Sequence, residues 1–180
     1  MYEHAEPTAV LRPLRENGPA LLVPAAWTVA VSGVLGVVST HALFVAHVVM
    51  SVLLVAFLVG SWGEMGSGAL RVWKLVILAG TPVTLAGVLG FLALDGVLAF
   101  PARPLLSIAL YGWILLPAVG LADTGRRVGR SARAYDVGAA CCVVGAVGVA
   151  VAGSPTATAV ALGVVGVGQT LGIVAATVAE

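Results

Sequence analysis

The stretch Ala42–Gly60, ALFVAHVVMSVLLVAFLVG, contains no Asp, Glu, Lys or Arg. A helix of about 20 apolar residues spans the roughly 30 Å hydrocarbon core of a bilayer. The run therefore reads as a transmembrane helix. Five more stretches share its character: Leu21–Val38 before it, and Leu75–Leu94, Leu105–Ala122, Val137–Gly153 and Ala157–Ala179 after it. The predicted fold is all-α, a polytopic membrane bundle of six transmembrane helices. A polar tail (1–19) precedes the six-helix domain (20–180) and carries Glu3, Glu6, Arg12, Arg15 and Glu16.

Composition supports the same reading. Of 180 residues, 60% are hydrophobic and 9% charged, against about 25% charged in an ordinary soluble domain. Only in a bilayer is such a surface stable. The formal net charge of +1 provides no basic excess for nucleic acid. Lys74 is the one lysine among nine basic residues, a bias that accompanies GC-rich prokaryotic coding. Cys141 and Cys142 are adjacent, point about 100° apart on a helix and do not form an ordinary disulfide; they read as small apolar packing residues. Leu21–Val38 is too long for a signal core and reads as a retained helix.

Charge sets the orientation. With the N-terminus inside, Arg12, Arg15, Arg71, Lys74, Arg126, Arg127, Arg130 and Arg133 all fall on the inner side, and only Arg103 lies outside. Positive residues concentrate on the cytoplasmic side, so both termini are predicted to be cytoplasmic in a multi-pass protein of the cell membrane. Arg126, Arg127, Arg130 and Arg133 also form a basic set suited to anionic lipid headgroups. Trp27, Trp62 and Trp73 lie near span ends and suit an aromatic belt, whereas Trp113 is deeper and is expected between helices.

The turns Ser39-Thr40-His41 and Ser154-Pro155-Thr156 are very short, predicting tight antiparallel hairpins for helices 1/2 and 5/6. Helix 6 carries Gly168-x-x-x-Gly172-x-x-x-Ala176 and helix 5 Gly148-x-x-x-Ala152, spacing that favours close backbone approach in lipid.

His47 is an ionisable residue inside a span, and intramembrane ionisable groups mark functional sites by default. Thr40, His47 and Ser51 share one face of helix 2; Thr81 and Thr84 lie on helix 3, Ser107 and Tyr111 on helix 4. At 1.5 Å per residue, His47 and Tyr111 lie about 8 and 9 Å below the outer surface. A small polar cavity between helices 2, 3 and 4 is the expectation. Pro82 and Pro117 are positioned to kink helices 3 and 4 and free carbonyls. Gln169, mid-helix 6, must find a partner: another helix or a ligand.

All eight carboxylates lie in the tail, loops or helix ends, which counts against a cation-coupled carrier. His47 and Ser51 share a face without a third orienting group, and Gly66-Ser67-Gly68 lacks the strand–turn–helix context of a hydrolase elbow. His41 and His47 are six apart, about 120° around a helix, and do not clamp one iron. The expected function is a non-catalytic membrane component of transport or accessory type, with no cofactor. The rival is a haem- or redox-cofactor-binding protein using His47 and Tyr111. Expected partners are the lipid bilayer and, because six short spans enclose little volume, a second copy or a partner membrane subunit.

Overall fold

The computed structural model describes residues 7–129 and 132–178, with side chains described over 21–129 and 132–176. Six helices occur in order: α1 (Pro7–Val34), α2 (Thr40–Ser61), α3 (Gly68–Leu94), α4 (Ala102–Arg127), α5 (Ala132–Val151) and α6 (Pro155–Val178). Helices α2 to α6 are each long and apolar enough to cross a membrane; the apolar part of α1, Leu21–Val34, is shorter. The fold is thus the predicted all-helical bundle. Arg130 and residues 1–6 lie outside the described residues.

Helix ends follow local chemistry. Helix α1 stops at Val34, four residues before the predicted end, because Gly36 takes a left-handed φ of 73°. The Val37 amide then reaches the Ser32 carbonyl and the Gly36 amide that of Gly33, the double bond of a Schellman cap. Gly96 (φ 75°) ends α3 in the same way, with bonds Val97 to Leu92 and Gly96 to Ala93. Ser39 and Ser154 cap α2 and α6, their hydroxyls accepting from the Ala42 and Ala157 amides at 3.2 Å. Pro155 at the first position of α6 loses no internal bond there. Helix α3 begins seven residues before, and α4 ends five residues after, the predicted limits. Arg71 and Lys74 therefore sit in the first two turns of α3, and Arg126 and Arg127 in the last turn of α4, not in loops. Residues 62–67 form a turn, so Glu64 and Arg71 do not share one continuous helix.

Neighbouring helices run antiparallel. Contacts between α3 and α4 pass from Gly90–Leu106 through Val83–Gly112 to Val76–Gly120. Each helix packs on the next along the chain, with one exception: α1 and α2 meet only beside their turn, where Gly33 faces Leu43. The predicted α1/α2 hairpin does not form. Instead α1 lies along α6, and α2 holds the bundle through α3. The deciding feature is a notch: Gly166 of α6 leaves room for the Trp27 ring.

The α5/α6 hairpin is as tight as predicted. A Cβ on Gly138 would stand 2.6 Å from the Gly168 carbonyl oxygen, and one on Gly145 2.8 Å from that of Ala161. Gly172, however, faces Leu121 of α4 rather than α5. The core joins Trp27, Ile114, Ala118, Leu121, Tyr135, Cys142, Leu162 and Val165, from α1, α4, α5 and α6. Helix α2 lies outside it, with Val45, Val49, Val52 and Val59 exposed.

Candidate functional site

Four helices are fastened through one chain of polar groups. The Trp27 indole of α1 donates to Gln169 Oε1 of α6 at 2.9 Å. Gln169 Nε2 donates to the Trp113 carbonyl of α4 at 3.0 Å. The Trp113 indole donates to Thr84 Oγ1 of α3 at 2.9 Å, and Thr84 donates to the Gly80 carbonyl at 2.9 Å. The weak link in α4 explains the role of Gln169. Pro117 stands four residues after Trp113 and has no N–H, so the Trp113 carbonyl lacks its helical donor. The glutamine amide supplies one. No buried side-chain nitrogen or oxygen among the described residues lacks a partner, as hydrocarbon surroundings require.

A repeated local unit builds this chain. Gly80-x-x-x-Thr84, Gly120-x-x-x-Thr124 and Gly166-x-x-x-Thr170 each return the threonine hydroxyl to the glycine carbonyl, at 2.9, 2.8 and 2.7 Å. Each glycine notch receives a tryptophan: Trp113 on Gly80, Trp73 on Gly120, Trp27 on Gly166. Helices α3 and α4 make the exchange reciprocally, because Trp73 of α3 donates to Thr124 of α4 at 3.1 Å. Bonding back leaves the threonine oxygen free to accept, so one hydroxyl serves its own helix and the neighbour. Trp27 and Trp73 therefore join helices through their indoles. Trp62, just beyond the end of α2, is 52% exposed. The Lys74 ammonium sits 3.5 Å over the Trp62 ring centroid and donates to the Trp62 carbonyl at 2.9 Å. Replacing Trp113 by Phe is expected to cost about 1–2 kcal/mol, the upper range for one interhelical bond in a membrane, read from unfolding in mixed detergent. Trp73→Phe should cost a similar amount.

The predicted polar site divides. His47 Nδ1 lies 2.8 Å from the Leu43 carbonyl, an acceptor only, so Nδ1 carries the proton. The ring's other edge lies against Gly87 of α3, with Phe91 edge-on at 5.1 Å between centroids. Ser51 returns its hydroxyl to His47, and Thr81 to Ile77, each within its own helix. Thr84 turns toward Trp113. Tyr111 packs against the core of α1, α4, α5 and α6. Ser107 lines a hollow at the α3/α4 end. Helix α3 separates α2 from α4, so His47, Ser51 and Tyr111 are not brought into one cavity. Of the predicted residues, only Thr84 and Gln169 join one network.

No family model, curated protein or solved structure matches this chain. The site therefore rests on its own geometry. Among the described residues, no group of three or more His, Cys, Asp or Glu is placed to hold a metal ion. Of the basic set, Arg127 is engaged by Asp123 four residues back, while Arg126 and Arg133 are exposed. Trp27, Trp73 and Thr124 also join helices, although their sequence positions pointed to an aromatic belt or to no role. The signal was present as Gly-x-x-x-Thr, repeated on α3, α4 and α6.

Proposed function

We propose that this protein is a non-catalytic accessory component of a prokaryotic cell membrane, with both termini on the cytoplasmic side. The observation that carries the reading is the use of the buried polar groups. Trp27, Gln169, Trp113 and Thr84 fasten helices to one another, and His47, Ser51 and Thr81 each bond to a carbonyl of their own helix. A protein built so acts through the shape and association of its bundle.

The orientation draws on charge. Arg71, Lys74, Arg126, Arg127 and Arg133 lie at the end holding the turn 62–67 and residues 128–129, whereas Arg103 lies at the other. Positive residues on the cytoplasmic side put the first end inside.

One labelling series tests both points, in a Cys141→Ala/Cys142→Ala background. Gly129→Cys and Gly153→Cys meet nothing within 4 Å, so both side chains fit without displacement. In right-side-out vesicles an impermeant thiol reagent is expected to modify position 153 at once and position 129 only after permeabilisation. The reverse pattern would invert the topology. Ser51→Cys and Thr84→Cys are expected to stay unreactive from either side. Rapid labelling of both would reveal an aqueous route and replace the accessory reading with a transporter.

A further inference from the structure

Arg103 is the exception to the charge distribution, and its surroundings give it a role. It lies one turn of α4 from Ser107, on the same face. Both line a hollow of about 260 Å³ at the α3/α4 end, with Leu94, Ala102, Leu106 and Leu110. Leu106 packs on the backbone at Gly90, which closes the floor. The two polar groups share one further property: among the described residues, neither side chain has a partner. Arg103 is exposed and makes no ion pair with them, and Asp95, exposed at the same end, does not engage it. Ser51, Thr81, Thr84, Thr124 and Thr170 each return their hydroxyl to the carbonyl four residues back. The Ser107 hydroxyl makes no such bond to Arg103.

We propose that this hollow seats one phospholipid, its phosphate on the Arg103 guanidinium and the Ser107 hydroxyl and an acyl chain along Leu106, Leu110 and Leu94. Charge complementarity selects the headgroup: a planar guanidinium offers paired donors to phosphate oxygens. The apolar wall selects the source. Ser107 is four residues, about 6 Å, deeper than Arg103, and Leu110 is deeper still, so the hollow runs from headgroup level into the acyl region. A free phosphate would use only its mouth.

Native mass spectrometry of the detergent-purified protein, titrated with dioleoylphosphatidylglycerol, tests this. One saturable lipid is expected per chain. Arg103→Gln should weaken its retention by about five- to tenfold, as loss of one basic contact at a headgroup implies. Ser107→Ala, which leaves the helix and all charges intact, should weaken it by a smaller factor. Arg71→Gln, at the opposite end and outside the basic set of α4 and α5, should change nothing. Arg103→Gln removes the one basic residue opposing the charge asymmetry, so insertion is not at risk. Dioleoylglycerol, with the same chains and no phosphate, should fail to compete, and inorganic phosphate should not displace the lipid. Equal retention by both variants, or equal competition by dioleoylglycerol, would overturn the proposal. Displacement by inorganic phosphate would overturn it in favour of a free-anion site.

Discussion

Replacing Gln169 by leucine is expected to lower the free energy of unfolding by about 2–4 kcal/mol, because two buried polar groups lose their partners at once. The Trp27 indole loses its acceptor and the Trp113 carbonyl its donor. Neither can turn to water in the middle of the bundle, where Gln169 is 5% and Trp27 8% exposed. Part of the cost comes from Pro117, since a residue with an N–H there would serve the Trp113 carbonyl within α4. Pro117→Ala supplies that donor. In a Pro117→Ala background the Gln169→Leu penalty should shrink by about 1 kcal/mol. Unfolding by detergent titration, followed by tryptophan fluorescence, gives both numbers. An unchanged penalty in the two backgrounds would mean that the proline-freed carbonyl is not what Gln169 satisfies.

Gly138→Ala is the second large effect. The added Cβ would stand 2.6 Å from the Gly168 carbonyl oxygen. That atom belongs to backbone, which cannot turn aside as a side chain does. Helices α5 and α6 must separate, at a cost of about 1–3 kcal/mol. Gly163 is the control, because a Cβ there meets nothing within 4 Å. Gly163→Ala is expected to be neutral or stabilising by up to about 1 kcal/mol, the helix preference of alanine over glycine. Thermal unfolding of the two variants side by side separates close packing from propensity. Equal effects would show that small residues on α5 and α6 reflect composition alone.

The helical, membrane-crossing character was legible because it depends on length and composition. A run such as Ala42–Gly60 has one stable state in lipid, whichever neighbour it meets. The short turns were legible for the same local reason, since Ser39 and Ser154 cap the helices that follow them. The α5/α6 contact was legible in kind but not in detail: Gly168 does face α5, whereas Gly172 faces Leu121 of α4.

The grouping of polar residues was the least legible part. Depth along each helix was readable, and it placed His47, Ser51, Thr84 and Tyr111 in neighbouring layers. Rotation was not. A soluble helix reveals its inward face by its apolar stripe. Here apolar residues surround every span, and the stripe vanishes. His47 faces Gly87 of α3 and Tyr111 faces the core of α1, α4, α5 and α6, a division that spacing within one helix does not reveal.

Ala42–Gly60 alone determined that this chain carries helices suited to lipid, and the five runs like it determined how many. Which helices touch was decided only in three dimensions. Helix α1 leaves its sequence neighbour α2 for α6, because Gly166 opens a notch for Trp27 and Gln169 accepts its indole proton. In a bilayer the lipid is as apolar as the helices, so burial cannot choose partners; close fit and hydrogen bonding do, and both need two helices to exist.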